Sequence, residues 1–294
     1  MPQPVLLLGA GPAAYGLPLE RIAEVRPVIL VDTAVPGWAR PFLSGHLGAD
    51  PEREAETAER VARYADRQRI AGVLTWTREH LPGAARITRH LGLPGLPYET
   101  AAVCADPVAL RDLLVRHRVV PEGPEDAEGS PVSAETVVLD DEVRIAALTR
   151  TTPGAPGRSP LRHSVHAHDG LLHNRFLRQM VERAVRALGL THTVAHVDLR
   201  LTGRGPRVTG VAPYLPGDLI PWLVERATGV DLAEVALGMA CGTAVDLTPT
   251  RQRAAAVRFA DSADAGSARS RRMYWGVEGD DVAACDRALG EAAA

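Results

Sequence analysis

The chain has 294 residues with 33 basic and 36 acidic side chains, a formal charge of −3. So balanced a surface excludes a dedicated nucleic-acid binder, and 46% hydrophobic with 23% charged residues excludes disordered, collagen-like and membrane classes. Every basic residue is arginine, because lysine is absent, which removes any mechanism that needs an ammonium side chain, such as a Schiff base or a phosphate-clamping lysine.

Cys104, Cys241 and Cys285 are odd in number and widely spaced, so neither a disulfide framework nor a zinc knuckle is expected. The opening MPQPVLLLGAGPAAYG reads as a first strand and not as a signal peptide, because the apolar run is short and no basic segment precedes it. No stretch approaches eighteen uninterrupted apolar residues, so a cytoplasmic protein is expected.

In chain order, Val5 to Gly9 is an apolar run ended by a glycine turn, and Gly16 to Val25 has helical apolar spacing. Pro27 to Asp32 and Gly72 to Trp76 are further strands, alternating with helices over Glu52 to Arg69 and Glu79 to Leu91. Such alternation implies βαβ units on a parallel sheet. A helix over Ala101 to His117 follows, and then the Pro-, Gly- and acid-rich segment Pro121 to Pro131 marks a boundary. Beyond it, Ser133 to Leu139 and Val143 to Thr149 read as a hairpin around Asp140 and Asp141. Thr151 to Pro160 reads as a loop and Leu172 to Leu188 as a helix. Val194 to Leu201 with Arg207 to Val211 form a second hairpin. Helices over Leu219 to Thr228 and Leu232 to Ala240, a strand over Arg251 to Ala260, a polar loop over Ser262 to Ser270 and a helix over Val282 to Ala293 complete the chain. The expected layout is an α/β N-terminal domain followed by an antiparallel α+β domain.

Gly9-Ala-Gly11-Pro-Ala-Ala14 lies between a strand and a helix and approximates the dinucleotide fingerprint GxGxxG/A, with Asp32 where a ribose-binding acid would sit. Ala14 and Pro12 depart from it, and no second mononucleotide-binding half follows. A Rossmann-like domain without a dinucleotide uses the same turn.

The order of several segments resembles the ATP-grasp superfamily, in particular its carboxylate-amine ligases. GVLTWTREH (Gly72 to His80), HLGLPGLPYETA (His90 to Ala101) and Asp106-Pro107-Val-Ala-Leu-Arg111-Asp-Leu-Leu114 are similar to the family's LGLPG and DKxxxRxxL region. SAETVVLDDEVRIAALTRT (Ser133 to Thr151) and the stretch from Arg186 to Leu232 are similar to its catalytic core. The resemblance implies a Rossmann-like pre-ATP-grasp domain at 1–120, a linker at 121–132 in place of a lid subdomain, and a truncated α+β ATP-grasp-like core at 133–294.

Members of that family bind ATP, hold Mg2+ on hard oxygens and activate a carboxylate as an acyl phosphate. Here the lysine of the DKxxxR helix is Pro107, and the dozen residues after Val120 leave no room for the lid with its second lysine. The metal glutamate falls on Asp198, and the glutamate, asparagine and arginine of the next strand fall on Gly210, Ala212 and Tyr214. The expectation is therefore no ATP, no Mg2+ and no other cofactor.

Six of the ten histidines, His163, His166, His168, His173, His192 and His196, lie between positions 163 and 196. His166 and His196 match histidines of the family pattern. Residues two apart on a strand share a face, so His196 can meet Asp198, and His166 can meet His168. A histidine beside a carboxylate is a general base titrating near neutrality. HxxHxH spacing without a fourth ligand also fits a metal site or a solvated loop.

The candidate catalytic residues are His166, His196, Asp198 and Tyr214. His163, His168, Arg150, Arg200 and Asp218 are the candidate substrate-binding residues, and Asp218 also suits the N-cap of the helix over Leu219 to Thr228. The expected function is nucleotide-free acid-base chemistry (elimination, cyclisation, isomerisation or hydrolysis) on a small amino-acid-like or carboxylate metabolite in specialised metabolism. The alternatives are a pseudoenzyme partner of a complete, paralogous ligase, an active ATP-dependent ligase and, last, a nucleotide-binding oxidoreductase. Partners are a small metabolite and, in addition, a second copy of the chain or the paralogous ligase; nucleic acid and membrane are not expected.

Overall fold

The computed structural model describes residues 2–122, 128–139, 142–154, 161–259 and 274–292. The first part is a parallel four-stranded sheet of order β3-β2-β1-β4, from β1 (Val5–Leu8), β2 (Val28–Asp32), β3 (Gly45–Gly48) and β4 (Gly72–Leu74). All four residues of β1 are buried, as its uninterrupted apolar run requires of a strand covered on both faces. Helices α1 (Gly16–Val25), α2 (Glu54–Ala65) and α3 (Leu81–Leu91) accompany it. The short strand β3 escapes the sequence pattern, because GHLG carries one large apolar side chain.

The single helix expected over Ala101 to His117 is two, α4 (Tyr98–Ala105) and α5 (Pro107–Arg116). Asp106 causes the break: its carboxylate accepts from Val108 N at 2.8 Å and Ala109 N at 3.2 Å, with Pro107 at the first helical position, where a missing N–H costs nothing. Residues 117–129 then connect α5 to the second sheet.

That sheet has seven antiparallel strands in the order β11-β10-β7-β6-β5-β8-β9. They are β5 (Ser130–Leu139), β6 (Glu142–Thr152), β7 (Arg162–His166), β8 (Thr193–Thr202), β9 (Gly205–Ala212), β10 (Ala254–Phe259) and β11 (Tyr274–Gly279). The expected loop at Thr151 to Pro160 begins later than its sequence suggests, since β6 runs to Thr152. The turn at Asp140 and Asp141, residues 155–160 and the polar stretch Ser262 to Ser270 lie outside the described residues. Helices α6 (Arg175–Ala187), α7 (Ile220–Thr228), α8 (Leu232–Cys241) and α9 (Val282–Ala292) complete the fold.

Strand alternation divides this sheet into two faces. One carries Val132, Ala134, Leu148, Val197 and Leu199, packed with α4, α5 and α6, while α9 covers Ala254 and Ala256 through Cys285 and Leu289. The other carries Val137, Ala147, Val165, Val194 and Val257, and shares a core with α1, α7, α8 and the first sheet. Polar side chains on this second face therefore look towards the junction of the two sheets. Among the described residues, no helix is long and apolar enough to cross a membrane.

Candidate functional site

The strongest polar cluster sits on that second face. β5 pairs with β8 so that Glu135 lies opposite His196 and Ser133 opposite Asp198. His196 Nδ1 is 2.8 Å from Glu135 Oε2, and Nε2 is 3.2 Å from Asp198 Oδ1. Glu135, wholly buried, accepts through its other oxygen from the hydroxyls of Ser133 at 2.8 Å and Thr149 at 2.9 Å. Every partner of this carboxylate is a donor, so an interior charge is matched rather than orphaned.

Both imidazole nitrogens face carboxylates, and His196 is the charged centre of a three-residue array. Burial opposes its charge, but the negative charge of Glu135 and the hydrogen bonds to Asp198 and Glu135 outweigh that penalty and hold its pKa well above the ordinary 6.5. The general base expected near neutrality is thus a proton donor there. Burial likewise acts to raise Asp198, yet the hydrogen bond and charge of His196, with Arg78 and Arg200 nearby, keep it below 3.8. The Asp198 side chain is 54% exposed, so it is the solvent-facing member. Arg200 also donates to Gly129 O at 3.2 Å.

The other sequence candidates do not join this cluster. Arg150 pairs with Ser164, and His166 with Ala254, which places both on the opposite face from His196. One residue of offset in a strand reverses the side. There Arg150 clamps the buried Asp169 through two bonds of 2.7 and 3.0 Å, and Asp169 in turn accepts from Leu171 N. His166 and His168 do meet, ring centroids 5.9 Å apart, and His168 lies 3.3 Å from Gln252. Tyr214 packs among apolar side chains and lines, with Val73, Trp76, Leu81, His192 and Met239, an apolar cavity of about 90 Å³ that excludes His196 and Asp198. His163 shares the His196 face, because Thr149 and Thr151 sit two apart and Thr151 pairs with His163. Asp218 does not cap α7: the N-cap position is Leu219.

Sequence reasoning missed Glu135, Ser133, Thr149 and Arg78. An acid in the apolar run VSAETVVL, in phase with buried Val137, was the available signal.

Asp198 and His196 face Gly210 and Ala212 across β9, neither of which offers a side-chain oxygen, and Mg2+ needs an octahedron of hard oxygens. The Gly9 loop is closely packed by its neighbours. A Cβ at Gly9 would lie 2.2 Å from the His80 ring, and one at Gly11 2.8 Å from Trp76. The glycines, at φ 74° and 67°, let the His80 and Trp76 side chains approach the loop closely. Asp32 accepts from Ala10 N at 3.0 Å through one oxygen and from Thr33 N at 2.7 Å through the other. NADH fluorescence is expected to remain unchanged on titration with the protein; saturable enhancement would contradict this packing.

No protein-family model matches the chain. Human carnosine synthase 1 is 42% identical over 80 residues, 26% of this chain and 9% of that protein. The uncharacterized protein y4rH of Sinorhizobium fredii is 37% identical over 79 residues, 27% of this chain and 16% of its own. The chain thus spans under a fifth of either relative. Solved structures align over nearly all of it. L-amino acid ligase from Bacillus licheniformis superposes with a TM-score of 0.81 at 14% identity, covering 99% of this chain and 96% of that one. Phosphoribosylglycinamide synthetase from Anaerococcus prevotii gives 0.79 at 14%, covering 98% and 97%. N5-carboxyaminoimidazole synthetase from Staphylococcus aureus, complexed with ADP, gives 0.73 at 10%, covering 98% and 96%.

The fold is that of the ATP-grasp carboxylate-amine ligases.

Within it, the first, parallel sheet and the second, antiparallel one correspond to the two sequence halves. At these identities the likeness concerns architecture alone.

Proposed function

We propose that this ATP-grasp-fold chain works without nucleotide or Mg2+, moving protons on a small amino-acid-like or carboxylate metabolite. The observation that carries the reading is His196 held between Glu135 and Asp198. A charged imidazolium sits beside the one acid left from the metal pattern, and its positive charge repels a divalent cation there. In support, Gly210 and Ala212 stand opposite the pair, Pro107 starts α5 in place of a lysine, and only residues 117–129 join α5 to β5. On this reading 1–120 is the Rossmann-like domain, 121–132 replaces a lid and 133–294 is a truncated core.

In the proposed reaction His196 Nε2–H is the proton donor. Asp198 receives that hydrogen bond in the free protein; a substrate carbonyl or carboxylate oxygen that displaces it takes the proton from His196 while the released Asp198 carboxylate takes the proton from the adjacent carbon, and the reverse transfers return one proton to each. Arg78 and Arg200 lie close enough to act on Asp198 through their charge and would bind a substrate carboxylate by charge-assisted hydrogen bonds. Glu135 fixes the ring and its charge from below.

The test is solvent deuterium incorporation. The full chain, incubated without nucleotide in D2O with a panel of amino acids and small carboxylates, is expected to label at least one at carbon, and His196→Gln to slow that at least about 100-fold. An unlabelled panel, or equal labelling by the variant, would overturn the reading. The ADP of the Staphylococcus aureus neighbour favours a second reading, an ATP-dependent ligase, which Mg-ATP binding separates from the first.

A further inference from the structure

The apolar cavity of about 90 Å³ lies at the junction of the two sheets and is partly open rather than sealed. Small residues carve it: Ala84 and Ala85 of α3, Gly95, and Ala236 and Ala240 of α8 stand where larger side chains would fill the space. Protein interiors otherwise pack as densely as organic crystals, with few voids beyond the size of a water. The threonine hydroxyls in its wall are spent inside the fold, Thr75 on Leu8 O at 2.9 Å, Thr88 on Ala85 O at 3.0 Å and Thr193 on Pro213 O at 3.1 Å. A water needs about two to four polar partners, so these walls suit an apolar group better than a water.

Two chain segments run from this cavity to the His196 array. On β8, Val194 forms part of the wall, and His196 and Asp198 follow on the same face of the strand, each step of two residues advancing about 7 Å. After β4, Trp76 lies in the wall, its indole N–H donating to Ala10 O at 2.8 Å. Two residues further on is Arg78, whose charge reaches Asp198. Cavity and array are therefore neighbours along both segments, one apolar and the other charged.

We propose that the cavity is a side-chain subsite for the metabolite: it takes a branched aliphatic group of about three to four carbons, borne by a molecule whose carboxylate lies at Arg78 and Arg200. A cavity of about 150 Å³ holds the six carbons of benzene, or about 25 Å³ per carbon, and at that ratio 90 Å³ holds between three and four. An aromatic side chain exceeds this volume, and a methyl group leaves most of it unfilled. The carboxylate end of this placement rests on the function proposed above, whereas the apolar end stands on the cavity alone.

The probe is 4-methylpentanoate, whose isobutyl end matches the cavity and whose carboxylate extends beyond it by one methylene. It is added to the full chain carrying methyl-labelled methionine, and the methyl of Met239, in the cavity wall and 3% exposed, is followed by NMR as the signal absent from Met239→Leu. The expected result is a saturable Met239 shift in the millimolar range, as befits eight non-hydrogen atoms. Propanoate, three carbons shorter, should bind about 50-fold more weakly, at about fourfold per buried carbon, and 3-phenylpropanoate should give no shift. Ala236→Leu adds three carbons to the wall and should abolish the shift while raising the unfolding midpoint. Should that variant fail to fold, crystals of the full chain soaked in 4-methylpentanoate should show its branched end beside Met239 and Trp76. No Met239 shift, equal affinity for propanoate, an equal shift in Ala236→Leu, or a branched end bound elsewhere in the soaked crystal would overturn the proposal. A Met239 shift in a chain that labels nothing in D2O would uphold the subsite without the proton chemistry, and labelling without the shift would overturn the subsite alone.

Discussion

Glu135→Ala is expected to destabilise the protein by about 3–5 kcal/mol, the range for removing one partner of a buried ion pair. The substitution leaves the His196 imidazolium facing a vacated site and strips the hydroxyls of Ser133 and Thr149 of their acceptor. Against a total stability of about 5–15 kcal/mol for an ordinary domain, this is a large effect, read by denaturant unfolding. Without Glu135, only Asp198 still offsets the burial that opposes the charge of His196, so its NMR titration midpoint should fall.

The pH dependence has a definite sign. His196 has a raised folded pKa, so its contribution is full below 6.5 and is lost as pH rises through the raised value. Asp198 has a lowered one, so its contribution is full above 3.8 and is lost as pH falls through the lowered value. Together they stabilise fully between 3.8 and 6.5, and the alkaline limb should shrink in Glu135→Ala. A loss under about 1 kcal/mol with an unchanged His196 midpoint would contradict the array.

Gly72→Ala should also be strongly destabilising, by about 2–3 kcal/mol. A Cβ at Gly72 would stand 2.6 Å from Ala240 O and 2.8 Å from the carbonyl carbon behind it. Both are backbone atoms of α8, which cannot rotate away as a side chain can. β4 and α8 would have to separate, opening the shared core that includes Met239, Leu237 and Trp76. Because Gly72 lies in a strand without a positive φ, the cost is steric contact and not backbone strain. An unchanged unfolding midpoint would show that α8 does not seat on β4 as described.

How far the sequence could be read depended on what each signal measures. Continuous apolar runs located β1 and β2, since burial on both faces needs no phase. β3, with one large apolar residue, and β11, whose exposure alternates along YWGVEG, are short edge strands whose composition does not distinguish them from loop. The pairing of His196 with Asp198 was legible because two positions on one strand share a face whatever the sheet does. Glu135 was not, because its meeting with His196 depends on which strand neighbours β8 and in what register. The same ignorance of phase grouped His166 with His196, although β7 turns it to the other side. Asp218 resembled a helix cap by position, whereas the left-handed turn at Asp218 and Leu219 depends on tertiary packing that no local pattern encodes.

On the function proposed above, His196 and its two carboxylates act in place of nucleotide chemistry on this scaffold. Isothermal titration of the full chain with ATP in excess Mg2+ tests it most directly. No saturable heat is expected up to about 1 mM ATP, above which an affinity would be weaker than about 4 kcal/mol. Saturable, Mg2+-dependent binding in the micromolar range would contradict it and establish the ATP-dependent ligase in its place.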